Sequence, residues 1–337
     1  MKRIYIFLAV LTLSLSSSSK FDNSQFIPEG DVPGGGTVTD EGVIDPGHKE
    51  GDWMVYQVDE GVTYMNFEAH DEVSKARQIV NVIKVDLNSD KYSICFNWSE
   101  GAMATSNVFR GYKALATING GYEPQSIYVK TAGRTRASIV SDVVPGTEVP
   151  QWKNEGAVFT DGRQSVQVEY CCKDLNLSLS QTREWYASDT RSNVISSAPM
   201  LIDDYDPVGK TFIQRCGYVE GMNLLSLDYE NPIRHQGVRH PRTAVALTAD
   251  NQFLMITVDG RWDGKAEGMS AKELTEFIVK HFNPQYALNL DGGGSTTMCV
   301  KGYGDKTTHV VNYPTDNEVF DHTGERSVTS HIYVIKN

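Results

Sequence analysis

The run Tyr286-Ala287-Leu288-Asn289-Leu290 passes directly into Asp291-Gly292-Gly293-Gly294-Ser295-Thr296-Thr297-Met298, and no other juncture constrains the chain as much. The first part reads as a short buried strand interrupted by Asn289. It stops at a carboxylate followed by three glycines and three hydroxyl residues. Glycine loses more chain entropy on folding than any other residue, so three in a row are poor core material. They do allow a sharp turn and let another group approach bare backbone. Such a turn can present the Asp291 carboxylate, backbone N–H groups and the Ser295 and Thr296 hydroxyls to one small anionic or sugar-like ligand. A glycine-rich hairpin would explain the stretch equally well, so other segments have to decide.

The segments around it predict a sheet. Thr63–Phe67, Ile79–Val85 and Tyr92–Phe96 have the β-branched, aromatic and partly alternating character of strands. Ala114–Ile118 is a further short apolar run, closed by Asn119-Gly120-Gly121-Tyr122. Thr243–Thr248 and Phe253–Val258 form a hairpin around Ala249–Gln252, and the second strand ends in Asp259-Gly260-Arg261. Ser270 and Glu273 make a capping box. Leu274, Phe277, Ile278, His281 and Phe282 then follow at helical spacing, and Asn283-Pro284 stops the helix. Ser197–Asp204 and Val328–Ile335 read as two more strands. The expected class is α+β (mixed α/β), one large mostly antiparallel sheet domain with few helices. The middle third, about Ser126 to Asp228, carries weak patterns.

The N-terminus adds a targeting expectation. Lys2 and Arg3 precede the apolar run Ile4–Leu15, and Ser16–Ser19 follow, which is the layout of a signal peptide over residues 1–19. That apolar run is too short to span a bilayer. Residues 20–52, rich in glycine, proline and acids, are expected to form a flexible linker. A catalytic domain is then expected over 53–337, in a protein exported to the periplasm or beyond the cell with no transmembrane anchor. A net charge of −12 argues against nucleic acid, which requires a basic footprint. Five cysteines leave at least one thiol free, and Cys216 with Cys171 or Cys172 is the pairing to test.

Several strand ends share one form, a polar residue followed by glycine: Asn119-Gly120-Gly121, Asp259-Gly260-Arg261 and Asp291-Gly292-Gly293-Gly294. Ends of this kind, delivered to one edge of a sheet, are where such folds place ligands. Arg239-His240-Pro241-Arg242-Thr243 sets two arginines and a histidine just before a strand. Taken as an ordered set, these motifs with Gly268-Met269-Ser270 and Asn289–Thr296 resemble the phosphodiester glycosidase family, which includes the lysosomal uncovering enzyme. Asn119–Tyr122 is similar to that family's upstream motif, and Glu325-Arg326-Ser327-Val328 to its closing arginine segment. The resemblance covers about Ile79 to Asn337 and is densest over Arg239–Met298.

The resemblance implies cleavage of a sugar from a glycosyl-1-phosphodiester, with a phosphomonoester released. No counterpart of the mammalian enzyme's cysteine-rich module and anchor is expected, and an exported microbial glycan phosphodiester is the expected substrate. The residue types suit that chemistry. A phosphomonoester leaves far more readily than an alkoxide, so a strong general acid matters less than holding the phosphoryl oxygens. Arginine does this with two parallel hydrogen bonds. Arg242 and Arg326 are therefore the expected phosphate clamp, with Arg239 in reserve. Asp291 is the first choice of nucleophile or base. Asp259 is the second, as a partner carboxylate, although a turn-capping aspartate explains it nearly as well. Asn119 and Asn289 are read as amides contacting ligand, and Gly120 and Gly292–Gly294 as close backbone approaches. Ser295 and Thr296 are read as hydroxyl donors, and His240 as a packed or capping residue. No cofactor is certain, and no metal ligand set is assigned. Asp291 and Asp259 with carbonyl oxygens would suit a hard divalent cation. Two rivals remain: a non-catalytic glycan-binding module and a metal-dependent phosphodiesterase that breaks P–O.

Overall fold

A computed structural model describes residues 38–39, 42–171 and 179–337, all within one compact unit, Gly36–Asn337. The strand patterns assemble into an eight-stranded antiparallel sheet. Its order is Met200–Asp203, Tyr286–Asn289, Arg242–Leu247, Gln252–Val258, Ala76–Asp86, Val62–Asp71, Trp53–Asp59 and His48–Glu50. The two faces follow from the two-residue period of a strand. On Ala76–Asp86, Val80 and Val82 face one cluster while Ile83 and Val85 face the other. The first face is covered by the helix Ala271–Phe282 through Leu274, Phe277 and Ile278. Its capping box is as expected from sequence, with Ser270 accepting from the Glu273 N–H and Glu273 accepting from the Ser270 N–H.

The second face packs against two smaller antiparallel sheets. One has four strands, in the order Met298–Val300, Ala116–Asn119, Ser327–Lys336 and Tyr92–Ala104. The other has five, Arg134–Ala137, Val129–Thr131, Asn193–Ser197, Gly156–Thr160 and Val166–Glu169. The fold is thus α+β, mostly antiparallel with few helices. The large sheet starts at His48–Glu50, which pairs with Trp53–Asp59 inside the stretch expected to be linker. Among the described residues Cys95, Cys216 and Cys299 are free thiols, so Cys216 does not take the expected pairing. Cys172, like the expected signal segment, lies outside the described residues.

One topological fact positions the site. Arg242–Leu247 is antiparallel to both of its neighbours, Gln252–Val258 and Tyr286–Asn289. Those two strands therefore run the same way, and the helix Ala271–Phe282 is the crossover that permits it. Their C-terminal ends and the start of Arg242–Leu247 all fall at one edge, with Arg242 opposite Val258 and Ala244 opposite Asn289. The chain continues from that edge as Asp259-Gly260-Arg261 and as Leu290-Asp291-Gly292.

Candidate active site

Beyond this edge lies a cleft of about 510 Å³, walled by the Asp291–Ser295 turn, His240, Arg242, Arg261, Arg326 and the loops around Glu123, Lys153 and Tyr229. The glycine turn explains the floor. Gly293 has φ +61 and donates its N–H to the Pro241 carbonyl at 2.9 Å. A Cβ on Gly294 would overlap the Asp316 carboxylate and the Arg326 guanidinium, so glycine lets that ion pair lie against the backbone. Ser295 and the three glycines all reach the cleft.

Asp291 opens onto this cleft. Desolvation pushes its carboxyl up to about 6, against a Ser295 hydrogen bond and the opposing charge of Lys153. Its backbone is braced on both sides. The Asp291 N–H donates to the Gly120 carbonyl at 3.2 Å, and the Asn119 amide donates to the Asp291 carbonyl at 2.8 Å. A carboxylate held this way titrates close to neutrality in a fixed position, which suits a nucleophile or base.

The cations divide into two kinds. Arg242 is 1% exposed, and its guanidinium is engaged wholly within the protein. Nε donates to the Met269 carbonyl at 2.8 Å, Nη1 to Gln236 at 2.9 Å, and Nη2 to the His235 and Val238 carbonyls at 3.0 and 2.9 Å. Burial, chiefly, brings its guanidinium down to about 10. A guanidinium has about five N–H donors. With most of them spent, Arg242 cannot offer a phosphate two parallel bonds. It borders the cleft but acts as the tie between the strand and the helix Pro232–Gly237. Arg261 is the reverse case. It is exposed at φ +65, meets only the Thr315 and Tyr229 hydroxyls at 3.4 and 3.3 Å, and has no carboxylate partner among the described residues. Arg326 also reaches the cleft, forked onto Asp316 at 2.7 and 2.8 Å.

Other expected site residues lie elsewhere. Arg239 pairs with Glu273 and the Ser74 carbonyl and does not line the cleft. Asn119 is buried and saturated: its oxygen accepts from Thr243 at 2.8 Å and from the Thr297 N–H at 3.2 Å. Asn289 donates to the Tyr122 hydroxyl and to the Ala198 and Leu290 carbonyls. Both amides, with Gly120 packed on Ser330 and the buried Thr296, brace the turn from behind and do not line the cleft. Asp259 is also behind the cleft. Its Oδ1 accepts from the Tyr313 N–H at 2.8 Å and from Asn312 at 3.1 Å, while Oδ2 has no partner among the described residues. Burial raises this carboxyl to about 7. Asp259 and Asp291 therefore do not share the cleft, and the cation site imagined between them is not formed. Among the described residues no group of three or more histidine, cysteine or acidic side chains could hold a metal ion.

Arg261, Glu123, Lys153 and Glu230, none of them an expected site residue, complete the walls. Lys153 is buried at 2% exposure; its ammonium binds both Glu123 oxygens at 2.9 Å and Glu230 at 2.6 Å, and lies over the Tyr122 ring. Arg261 is visible in the Asp-Gly-Arg triplet but carries no more signal there than a turn. Glu123 directly follows the Asn119–Tyr122 motif, which is the one hint the sequence holds. Lys153 and Glu230 come from segments without any pattern. His240 also faces the cleft, and neither of its ring nitrogens has a partner among the described residues.

The fold is shared with two solved structures. The zebrafish N-acetylglucosamine-1-phosphodiester alpha-N-acetylglucosaminidase catalytic domain, auto-inhibited by its pro-peptide, superposes at TM-score 0.55 with 16% identity, over 82% of this chain and 83% of that one. A hypothetical protein from Synechocystis superposes at 0.54 with 12% identity, over 86% of this chain and 64% of that one. The architecture is therefore the fold that these two structures share. In sequence, the family described as phosphodiester glycosidase matches residues 112–335, well over half of the chain. The chain belongs to the phosphodiester glycosidase family. The Bos taurus N-acetylglucosamine-1-phosphodiester alpha-N-acetylglucosaminidase is 33% identical over 84 residues, 25% of this chain and 14% of the bovine protein. The chain thus matches only a small part of that relative's length. Among the described residues no helix is long and apolar enough to cross a membrane.

Proposed function

We propose that this chain hydrolyses a glycosyl-1-phosphodiester, transferring the sugar to water and releasing a phosphomonoester. The observation that carries this reading is the meeting of Asp291 with Arg261 and Arg326 in one cleft floored by bare glycine backbone. In the proposed reaction the bond between the anomeric carbon and the phosphate oxygen breaks, and its electron pair leaves on the phosphate. Arg261, whose fork has no carboxylate partner among the described residues, and Arg326, steadied by Asp316, take up that charge. Asp291 attacks the anomeric carbon or draws a proton from the attacking water. Arg242 supports this from behind by holding the segment that carries His235 and Val238. The clamp is thus Arg261 with Arg326, in place of the expected Arg242 with Arg326.

N-acetylglucosamine, named in the bovine and zebrafish relatives, is the first sugar to test. The basic and apolar residues Lys2 to Leu15 support export, so the natural substrate is proposed to lie outside the cytoplasm. A panel of sugar-1-phosphodiesters should be assayed with wild type and Asp291→Asn in ¹⁸O-labelled water. Label in the sugar hydroxyl, with turnover abolished in the variant, is the expected result. Label in the phosphate would mean P–O cleavage, and ligand binding without turnover across the panel would mean a binding module.

A further inference from the structure

His240 stands in an unusual position for a histidine that lines an anion cleft. Its backbone is immobilised: the N–H donates to the Met269 carbonyl at 3.3 Å, and the Met269 N–H returns to the His240 carbonyl at 3.1 Å. Gly260 and Gly268 press on that backbone so closely that a Cβ on either would collide with it. The ring is flanked by Tyr229 and His235 at centroid distances of 6.0 and 6.2 Å. Nδ1 and Nε2 are both shielded from solvent, and neither has a partner among the described residues. A buried polar atom without a partner is costly, and two on one ring mean the site is built for something that supplies both bonds.

The charged groups facing this ring are all cationic. Burial holds His240 down to about 3, and the charges of Arg242, Arg261 and Arg234 around it add to the effect. His235 beside it is held low as well, by burial first and then by Arg242. A neutral imidazole has one N–H donor and one bare nitrogen acceptor. The ligand that satisfies both must therefore carry an anionic oxygen and a hydrogen-bond donor within the width of one ring. That pair occurs at the junction of a sugar phosphate, where a phosphoryl oxygen lies beside a ring hydroxyl or amide N–H.

We propose that His240 reads this junction, its N–H donating to a phosphoryl oxygen and its second nitrogen accepting from the adjacent sugar substituent. The proposal rests on the hydrolase reading above for the identity of the ligand, but its test does not depend on turnover. Inorganic sulfate and glucose 1-phosphate serve as probes, titrated calorimetrically at pH 7 into wild type, His240→Leu and His240→Gln. Sulfate offers only the anionic oxygens, so His240→Leu should bind it about 10-fold more weakly than wild type, one lost hydrogen bond. Glucose 1-phosphate offers both partners and should weaken about 100-fold in the same variant. Glutamine keeps a donor and an acceptor, and should recover most of both losses.

Histidine ring resonances in ¹⁵N-labelled wild type give a second readout that does not rely on a variant folding. One ring N–H and one bare nitrogen should both shift with glucose 1-phosphate, and chiefly the N–H with sulfate. Equal affinities of wild type and His240→Leu for both probes would overturn the proposal. So would ring signals that ignore both probes, or a failure of either probe to bind wild type. Junction binding without hydrolysis of any diester would leave His240 assigned and remove the hydrolase reading. Hydrolysis with the losses absent would do the reverse.

Discussion

Asp259 and Asp291 begin alike and end differently. Each lies just past a strand of the same sheet, each precedes a glycine, and the two strands run in the same direction on either side of Arg242–Leu247. Desolvation raises both carboxyls, to about 7 and about 6. The residues on the C-terminal side of each aspartate separate them. After Asp291 three glycines turn tightly, and the carboxylate is left facing the cleft with Ser295 beside it. After Asp259 the chain turns away, and the segment at Asn312 and Tyr313 closes over the carboxylate with two hydrogen bonds to Oδ1. A raised carboxyl pKa is therefore not sufficient evidence of a catalytic role. Access decides between chemistry and scaffolding.

The largest expected effect tests that division directly. Asp291→Asn should lower kcat/KM on the order of 10³-fold or more while leaving the folded state intact, because it removes the group proposed to act on the anomeric carbon. Asp259→Asn should retain activity within about 10-fold, since its partners are structural. In wild type, kcat/KM should rise with pH through an acid limb near the Asp291 value of about 6, because the proposed nucleophile or base acts in its ionised form. A matching loss in the Asp259 variant, with its fold unchanged, would erase the distinction.

The arginines give the next effect and the same contrast. Arg242→Met removes the donor set that serves the His235, Val238 and Met269 carbonyls, leaving buried acceptors unpaired. Stability should fall by about 3–5 kcal/mol, read as a shift in the urea midpoint. Arg261→Ala touches no such network. Its stability should stay within about 0.5 kcal/mol of wild type, while affinity for a phosphomonoester product falls by about 1.5–3 kcal/mol. A stable Arg242→Met protein with lost phosphate affinity would restore Arg242 as the clamp.

The same pairs mark the boundary of what is legible in the sequence. The strands around residues 79–85, 243–248 and 253–258, the capped helix and the final strand all announce themselves by periodicity, and the α+β class comes with them. A tight turn after Asp291 is legible in three consecutive glycines, but a glycine-rich hairpin explains them equally well, and only the ordered set of motifs around it favours a ligand site. The direction of a guanidinium is not legible. Arg242 and Arg261 each sit next to a strand end, and only tertiary contacts show that one is saturated by carbonyls and the other open. The roles of Asn119 and Asn289 are hidden for the same reason, because a buried amide bracing a turn and an amide meeting a ligand share one residue type. Glu123, Lys153 and Glu230 form a wall through contacts between segments 30 or more residues apart, which no local pattern records.

The smallest effect concerns stability and pH, and it isolates Asp259. Its folded pKa, about 7, lies above the ordinary carboxylate value, so the folded state holds a proton that the unfolded chain has already released. This group therefore lowers the unfolding free energy as pH rises from about 4 to about 7, with no further loss once both states are ionised. Asp291 contributes the same sign but finishes nearer 6, and the depressed histidines His240 and His331 contribute the opposite sign below their ordinary value. Absolute slopes are therefore mixed, whereas the difference between wild type and Asp259→Asn is not. Measured by urea unfolding, that difference should shift in favour of the variant by about 2 kcal/mol between about pH 5 and about pH 8. Much of the change should fall above the Asp291 value of about 6, where that carboxyl has already lost its proton. A pH-independent difference would mean that Asp259 ionises freely, and that the Oδ2 side of the pocket is open to water.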